Sequence, residues 1–225
     1  MKDNKYEPSI VDRWPDEYFN DRHVNNEKRL KQFEIDEKFI KKYISSGNVC
    51  DVGCSTGEFL RQLNFSGQLF GMEINEYAKK KASEFISFEK NIFTEKNFFD
   101  LIIFRGTIQH VDEPFRMIKH SYKSLKKGGF IVFLSTPNTN SILYKLKSNL
   151  AFLDKKTNFY IPGEIELCNA LKNFSFDILE VNFPYLKTPY ASVLSDHYKF
   201  IKNLLFKKFY PHPFWKSSIN IIAKK

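Results

Sequence analysis

The chain has 225 residues and a formal net charge of +9; 42% of its residues are hydrophobic and 27% are charged. These proportions are ordinary for a globular protein and exclude a disordered or fibrous chain. The chain begins with polar residues, and its longest clear apolar run, residues 130–134, is too short to span a bilayer, so we expect neither a secretory signal nor a transmembrane segment.

The three cysteines, Cys50, Cys54 and Cys168, are odd in number and lack paired metal-ligand spacing. This usage fits reduced thiols in a cytoplasmic protein and predicts no metal site. Cys50 and Cys54 are interpreted as strand and turn residues and not as ligands or nucleophiles.

The first region, residues 1–46, is predicted to form an N-terminal helical cap. Apolar residues recur at helical spacing over residues 35–44, and Gly47 lies where such a helix would end. Upstream of this helix, Trp14, Tyr18 and Phe19 are candidate anchors.

Strands and helices alternate from residue 48 to residue 135. The apolar runs predict five strands, at residues 48–52, 68–74, 85–88, 100–104 and 130–135. The segments between them predict helices at residues 57–63, 76–84 and 114–125. Because such alternation requires right-handed crossovers, the fold class predicted is α/β, a Rossmann-like doubly wound sheet with helices on both faces.

After Pro137 the pattern changes. Helices are predicted at residues 141–152 and 164–173, and strands at residues 176–183 and 218–223. The segment between the two strands, residues 184–216, is long for a connection and rich in Tyr, Phe, Lys and Pro. We interpret it as a substrate-covering insertion within a single domain, 1–225. Its aromatic residues would either stack on a ring of the substrate or form a small satellite core.

The positive charge is concentrated at the end of the chain, where residues 185–225 carry eight lysines and one acid, Asp196. Such a segment suits phosphate, nucleic acid or an anionic membrane, although it also serves solubility. Arginine is absent from it, which argues against specific nucleic-acid recognition. On a helical wheel over residues 198–210 the lysines fall on several sides, which disfavours a helix lying on a membrane.

The most informative segment, residues 49–59, reads Val-Cys-Asp-Val-Gly-Cys-Ser-Thr-Gly-Glu-Phe. It resembles the first motif of class I S-adenosylmethionine-dependent methyltransferases, D-x-G-x-G-x-G, with Ser55 in place of the middle glycine. The resemblance continues through residues 107–114, Thr-Ile-Gln-His-Val-Asp-Glu-Pro, and through Gly-Gly-Phe and Ser-Thr-Pro-Asn at residues 128–130 and 135–138. It implies a sheet that is mostly parallel with an antiparallel last strand.

The resemblance also implies S-adenosyl-L-methionine as cofactor and S-adenosyl-L-homocysteine as product. The turn containing Gly53, Ser55 and Gly57 would let the backbone approach the methionyl end of the cofactor, with its N–H groups favouring the carboxylate. Asp51 would engage the cationic side of that end, directly or through water.

Glu73 ends the second predicted strand, 22 residues after Asp51, where a carboxylate can accept hydrogen bonds from both ribose hydroxyls. A surface glutamate at a strand end is the alternative. Ile74 would pack on the adenine face.

Two further strand ends supply candidates. Asn91 and Ile92 occupy the position that would meet the adenine amino group, although Asn91 could also be an ordinary loop residue. Arg105 follows the fourth predicted strand and could hold the carboxylate of the cofactor or of an acidic substrate.

His110 is the candidate catalytic residue. A hydroxyl acceptor needs a base for its proton, and histidine titrates near neutrality. His110 could instead only position the chain, and an acceptor that is already ionised, such as a phosphate or carboxylate oxygen, would need no base.

Two rival interpretations use the same glycines. Residues 53–57 match the G-x-S-x-G nucleophile elbow with Ser55 as nucleophile, but that elbow requires several earlier strands and an oxyanion loop. A nicotinamide-binding turn requires G-x-G-x-x-G, whereas this chain has Ser55 and Glu58 at the second and third glycine positions.

We therefore expect a methyltransferase that acts on a small-molecule or saccharide acceptor, with O-methylation of a saccharide or phosphorylated intermediate of surface-polysaccharide biosynthesis as the first hypothesis. Alternatives are a quinone- or aromatic-type O- or N-methyltransferase and a non-catalytic subunit that only binds the cofactor. The sequence does not give the oligomeric state.

Overall fold

The computed structural model describes residues 15–21, 27–151, 153 and 157–225. The predicted anchor Trp14 lies outside the described residues. Within the predicted cap, helix α1 covers Asp16–Asp21 and helix α2 covers Glu27–Lys41. Of the other two anchors, Phe19 is buried and Tyr18 is half-buried.

Six strands form one sheet. They are β1 (Val49–Val52), β2 (Leu69–Met72), β3 (Phe99–Arg105), β4 (Leu125–Pro137), β5 (Asp177–Asn182) and β6 (Ser218–Lys224). Their order in the sheet is β2-β1-β3-β4-β6-β5. Strands β1 to β4 pair in parallel, and β6 runs antiparallel to both of its neighbours. The predicted mostly parallel sheet with an antiparallel last strand is confirmed.

The remaining helices are α3 (Glu58–Gln62), α4 (Glu76–Ala82), α5 (Pro114–Ser124), α6 (Ile142–Lys147), α7 (Glu164–Asn173) and α8 (Val193–Leu205). The residues at the N-termini of two of these helices explain where the helices begin. Asn75 caps α4 by accepting a hydrogen bond from the Ala78 N–H at 2.8 Å. Helix α5 starts with Pro114, whose fixed φ suits the first helical position.

Side-chain alternation in the central strands builds two cores, one on each face of the sheet. In β3, Ile102 and Phe104 join the core against α5 and α7, whereas Leu101 and Ile103 join the core against α2, α3 and α4. Both faces are apolar because helices cover both, as expected for a parallel α/β sheet. No helix among the described residues has the length and apolar character that crossing a membrane requires.

Several elements differ from the sequence prediction. Strand β4 begins at Leu125, five residues before the predicted start at residue 130. Residues 85–88 do not form a strand, since only Ser87 bridges to β2, through the Ser87 N–H to Leu69 O and the Gly71 N–H to Ser87 O, both at 3.0 Å. Helix α6 ends at Lys147 and not near residue 152, because Ser148 adopts a left-handed conformation with φ of 48°.

The predicted insertion, residues 184–216, lies between β5 and β6 and contains α8. Its aromatic residues form a third, smaller core with residues around α6: Leu143 and Leu150 pack with Tyr185 and Phe214. The satellite core is therefore present, and the same residues also reach the cavity described next.

Candidate active site

A cavity of about 920 Å³ opens at the carboxyl ends of β1, β2 and β3. This is the edge at which parallel α/β sheets bind ligands, and the volume lies in the range of small-molecule sites. Of the ten sequence-predicted site residues, six line the cavity: Gly53, Glu73, Ile74, Asn91, Arg105 and His110. We call the first five of these the strand-edge wall.

The other four predicted residues do not line the cavity. Asp51 is buried directly behind Gly53, and Ser55 and Gly57 belong to the same turn. Ile92 is 1% exposed and packs in the core against Phe70 and its neighbours, so the structure places it away from any ligand.

Glu73 lies at the end of β2 with its carboxylate already engaged. One oxygen accepts from the Ser55 N–H at 2.8 Å, and the other accepts from the N–H groups of Ile74 and Asn75 at 2.8 and 3.0 Å. These bonds fix the orientation of the carboxylate. An exposed Ile74 next to it provides an apolar surface to the cavity.

The turn that contains Gly53, Ser55 and Gly57 does not present its N–H groups to a ligand as the sequence predicts. The N–H groups of Gly53 and Cys54 donate to Met72 O, and that of Gly57 donates to Cys54 O. With the Ser55 N–H on Glu73, these donors are used inside the protein and do not form an open cradle. Gly53 is needed for a steric reason: it has φ of 77°, and an added Cβ would lie 2.4 Å from Thr107 Cγ2.

Asp51 has a buried carboxyl oxygen, Oδ1, without a hydrogen-bond partner among the described residues. Burial raises the pKa of Asp51 to about 7; nearby Arg105 opposes this shift and Glu73 adds to it. A buried acceptor of this kind is costly unless a ligand completes it. A cationic group in the cavity would do so and would favour the ionised form.

Asn91 uses its side-chain oxygen within its own loop, where Oδ1 accepts from the N–H groups of Phe93 and Thr94 at 2.9 and 3.3 Å. This is the loop role that the sequence left open as an alternative. An adenine amino group would have to share that oxygen, whereas the amide nitrogen of Asn91 is a donor suited to a ring nitrogen.

Arg105 is held by a residue that the sequence analysis did not single out. Its Nε donates to Asp36 Oδ2 at 2.8 Å, and its guanidinium lies over the rings of Phe33 and Phe59 at 4.3 and 5.2 Å. Asp36 is fully buried, and Gln32 Nε2 donates to its other oxygen at 2.9 Å. Burial raises the pKa of Asp36, and the charge of Arg105 opposes this shift.

The Asp36–Arg105 pair therefore ties α2 to the end of β3. Helix α2 also places Arg29 and Gln32 in the cavity lining, and α1 adds Tyr18 and Phe19. A signal for this was present in the sequence, because Asp36 is a lone acid on the apolar side of a helix that also carries Phe33, Phe39 and Ile40.

His110 follows β3 in a short 3₁₀ turn, Ile108–His110, and lines the cavity. Its Nδ1 lies 2.8 Å from Thr157 O. Because a carbonyl oxygen only accepts, Nδ1 carries the proton in this contact and Nε2 is the basic nitrogen. Nε2 lies 3.4 Å from the side-chain nitrogen of Gln109, an amide donor, so Nε2 is the acceptor of that contact. Accepting a proton from a substrate at Nε2 would require the Gln109 amide to give way.

Comparison with known proteins agrees with this geometry. A family model described as a methyltransferase domain matches residues 22–181. The chain belongs to this methyltransferase family.

A curated relative is malonyl-[acyl-carrier protein] O-methyltransferase 1 of Ilyobacter polytropus, 27% identical over 172 residues that cover 71% of this chain and 63% of that protein. A solved S-adenosylmethionine-dependent methyltransferase from Archaeoglobus fulgidus has a TM-score of 0.63 at 19% identity and covers 93% of this chain and 99% of its own. A chain from the Haloferax volcanii complex of a methyltransferase with its activator Trm112 has a TM-score of 0.67 at 12% identity, covering 96% and 99%.

The protein is thus a class I methyltransferase, and S-adenosylmethionine is the cofactor of this family. Asp51, which is buried outside the cavity lining, and the strand-edge wall both have groups that fit this cofactor. The unpartnered Oδ1 of Asp51 suits an ammonium group, the fixed carboxylate of Glu73 suits a diol, and the exposed Ile74 suits an aromatic face. When bound, the cofactor supplies a methyl group activated by a sulfonium sulfur.

The methyltransferase cavity is also lined by four aromatic side chains from later in the chain, which we call the aromatic wall: Phe159, Tyr185, Tyr190 and Phe214. Pro184 and Pro213 lie beside them in the lining. The Tyr185 hydroxyl donates to Asp196 Oδ2 at 3.0 Å, which joins this wall to α8. Burial, the hydrogen bond to Asp196 and the charge of Asp196 raise the pKa of Tyr185 to about 12.

Among the described residues, no lysine of residues 185–225 lines the cavity. Neither cysteine of the motif is suited to act as a nucleophile, because burial raises the pKa of the Cys50 and Cys54 thiols. Ser55, the nucleophile of the rival hydrolase interpretation, is likewise outside the lining.

Proposed function

We propose that this methyltransferase methylates an oxygen of a small, ring-containing acceptor, with a saccharide as the first candidate. The observation that carries the proposal is that one cavity has both the strand-edge wall and the aromatic wall, with His110 in its lining. Aromatic side chains present flat apolar faces to a ring, and such faces fit one side of a sugar as well as an aromatic ring. The insertion, residues 184–216, supplies most of this wall and so covers the substrate.

His110 acts as the base in this proposal. Its Nε2 takes the proton of the acceptor hydroxyl while the acceptor oxygen forms its bond to the transferred methyl carbon. The electron pair of the broken carbon–sulfur bond stays on sulfur, and the products are a methyl ether and S-adenosylhomocysteine. Holding both reactants in one cavity supplies the alignment that an in-line displacement needs.

The cofactor contacts proposed are those of the sequence motif, adjusted to the geometry. Asp51 engages the ammonium group directly or through water, Glu73 accepts from the ribose hydroxyls, and Ile74 packs on the adenine. Asn91 donates its amide to the adenine ring instead of accepting from the amino group. Gly53 allows the turn to lie close against Thr107 beside the cofactor.

The position of the lysines gives no support to a phosphate-bearing acceptor. The lysines of residues 185–225 suggested such an acceptor, but they lie outside the cavity lining among the described residues. An aromatic or quinone-type acceptor remains the second candidate, because the aromatic wall fits it equally well.

The first test is calorimetric titration of S-adenosylmethionine and S-adenosylhomocysteine into the wild type, Glu73→Ala and the matched control Glu84→Ala. Glu84 is exposed just beyond α4. We expect Glu73→Ala to weaken binding at least about tenfold, from the loss of charge-assisted hydrogen bonds. An equal affinity in Glu73→Ala and the wild type would contradict the proposed ribose contact.

The second test is transfer of a radiolabelled methyl group to panels of saccharides and phenols. Turnover on a saccharide would support the first candidate, and turnover on phenols alone would support the second. Binding of the cofactor with no turnover on either panel would favour a third reading, in which the chain is a subunit that acts with a partner; the Haloferax volcanii relative was solved with an activator.

A further inference from the structure

Helix α8 has its polar and apolar sides reversed relative to a helix that packs on a core. The residues that it buries against the protein include Asp196 and Asn203, which are 2% and 1% exposed. Its outward residues are Leu194, Tyr198, Ile201 and Leu205, with 88%, 60%, 53% and 72% of their surfaces exposed. Their spacing of four, three and four residues places them in one stripe along the helix. We call this stripe the α8 face.

The buried polar residues of α8 have protein partners, so the orientation of the helix is fixed. Asp196 accepts from the Tyr185 hydroxyl at 3.0 Å and from the Ser192 N–H at 2.7 Å. Asn203 donates to Tyr210 O and accepts from the Tyr210 N–H, both at 2.9 Å. Rotating the helix to bury the α8 face would break these hydrogen bonds and leave their polar partners unsatisfied.

The helical wheel drawn from the sequence covered residues 198–210, and the structure changes that window. The helix runs from Val193 to Leu205, so Lys207 and Lys208 follow its end and do not belong on the wheel. Leu194, the most exposed member of the α8 face, lies outside residues 198–210. The membrane-lying helix that the sequence disfavours is therefore compatible with the structure.

The segments that form and adjoin the α8 face are rich in lysine. Helix α6 packs beside α8, and Lys147 on α6 donates to Phe206 O just after α8 ends. The two helices and the residues that follow α8, residues 142–147 and 193–208, carry a group of lysines that we call the lysine rim: Lys145, Lys147, Lys199, Lys202, Lys207 and Lys208. The one acid in these segments, Asp196, is buried. Helix α6 adds two exposed apolar residues, Ile142 and Leu146.

We propose that the α8 face and the lysine rim bind the surface of an anionic lipid bilayer. An apolar stripe flanked by lysines is the arrangement with which a helix lies in the headgroup layer, its apolar side toward the acyl chains. The charge complementarity selects this occupant. A second copy of the chain would bring six lysines against six, and lysine is depleted from protein interfaces. Ammonium groups without arginine suit non-specific attraction to anionic headgroups.

Binding of the α8 face and the lysine rim to a bilayer would hold the aromatic wall of the cavity near the lipid. The inner side of α8 contacts the aromatic wall twice, through Asp196 with Tyr185 and through Phe200, whose ring stacks on Phe214 at 4.2 Å. The α8 face thus lies one helix away from the substrate-covering wall. The inference concerns binding alone and is tested without measuring activity.

The experiment is flotation of the full chain with vesicles of phosphatidylcholine alone and with vesicles of about two parts phosphatidylcholine to one part phosphatidylglycerol. We expect the wild type to bind the anionic vesicles at least about tenfold more tightly than the neutral ones at low salt, and to lose most of that preference as salt screens the lysines. Equal binding to both vesicles, or binding to neither, would overturn the proposal.

Two variants test the two components separately. Leu194→Gln/Ile201→Gln should weaken binding at least about tenfold, and Lys207→Gln/Lys208→Gln should weaken it about fivefold for each lysine. All four residues are exposed, so folding should be unaffected, as thermal melting checks.

Matched controls change the same residue types elsewhere. Ile165→Gln/Leu179→Gln alters exposed apolar residues on α7 and β5, and Lys80→Gln/Lys119→Gln alters exposed lysines on α4 and α5. Controls that bind less tightly, to the same extent as the test variants, would overturn the proposal. So would sedimentation showing that Leu194→Gln/Ile201→Gln converts a dimer into a monomer while vesicle binding is unchanged, because the stripe would then be a protein interface.

Discussion

The strand-edge wall comes from the ends of β2 and β3 and the turns that follow β1 to β3, whereas the aromatic wall comes from residues 159–214, which reach the cavity from loops and the insertion. The first wall has one carboxylate, of Glu73, and one guanidinium, of Arg105, both fixed by hydrogen bonds of 2.8–3.0 Å. The second consists of rings supported by a satellite core.

This difference separates the part of the site that the sheet determines from the part that the insertion determines. Parallel strands that pair in register bring their ends together whatever the substrate is, so the cofactor contacts depend on the sheet itself. The aromatic wall depends on how one insertion folds over that edge, and changing it would change the acceptor without changing the cofactor. His110 bonds to Thr157 O, and its neighbour Gln109 accepts a hydrogen bond from the Phe159 N–H at 3.0 Å, so the turn after β3 contacts the segment that carries Phe159 of the aromatic wall.

The largest effect is expected from replacing His110. His110→Gln should lower kcat about 10²–10⁴-fold on a hydroxyl acceptor, because the base is lost, and should leave the Kd for S-adenosylmethionine unchanged. Steady-state kinetics and calorimetry measure the two quantities. A full rate in His110→Gln would assign His110 a positioning role only.

Next in size is the effect of Arg105→Met on the strand-edge wall. The change leaves the fully buried Asp36 without its ionic partner and should lower the free energy of unfolding by about 3–5 kcal/mol. Urea unfolding measures this loss. Asp36→Leu/Arg105→Met should regain most of it, and the exposed-pair control Arg116→Met should cost about 0–1 kcal/mol. A small loss in Arg105→Met would show that Asp36 is not ionised when alone.

Asp51→Asn should stabilise the cofactor-free protein and weaken cofactor binding. The pKa of Asp51 is about 7 in the folded protein against an ordinary value of 3.8. Between these pH values the folded state binds the proton more tightly than the unfolded state, so wild-type stability falls as the pH rises from about 4 to 7. At pH 8 the variant should be more stable by up to about 4 kcal/mol, and the gain should vanish below about pH 4.

Urea unfolding at several pH values checks that dependence, with the exposed Asp177→Asn as control. Cofactor binding gives a second readout. If the ammonium group ionises Asp51, binding near pH 6 should release a proton from the wild type and none from Asp51→Asn. Calorimetry in buffers with different ionisation enthalpies measures this release. A variant less stable than the wild type at pH 8 would refute the proposed cost of the buried carboxyl.

The smallest effect is expected at the aromatic wall. Tyr185→Phe removes one of the two hydrogen bonds that the buried Asp196 accepts from the Tyr185 hydroxyl and the Ser192 N–H, and it should cost about 1–2 kcal/mol of stability. It should raise the KM for the acceptor while the Kd for S-adenosylmethionine stays constant. The exposed Tyr198→Phe is the control. A change in cofactor affinity in Tyr185→Phe would show that the two walls are not independent.

Much of the strand-edge wall could be predicted from the sequence, because strand ends are visible as the ends of apolar runs. Glu73, Ile74 and Arg105 were found in this way, and all three line the cavity. What the sequence did not show is how hydrogen bonds are distributed: the N–H groups of the Gly53 turn are used internally, and Asn91 Oδ1 caps its own loop. Those partners are fixed only when the chain has folded.

The features that the sequence did not predict depend on contacts between residues that are far apart in the chain. The Asp36–Arg105 pair joins residues 69 positions apart, and no local pattern gives that contact. Residues 85–88 have strand composition, but they meet β2 at Ser87 alone. For α8, a helical wheel over residues 198–210 omits Leu194 and includes two lysines beyond the end of the helix, so the apolar stripe is not visible. The stripe is also unexpected because the side that the helix buries is its polar one.

The fixed carboxylate of Glu73 and the unpartnered oxygen of Asp51 bear on the kinetics of the enzyme as well. S-adenosylhomocysteine keeps the same ammonium group and ribose as the methyl donor, so the proposed contacts hold the spent molecule as firmly as the fresh one. Departure of the spent molecule would then limit the pace of successive turnovers. The enzyme would depend on a hydrolytic or cleaving reaction elsewhere in the cell that keeps S-adenosylhomocysteine scarce.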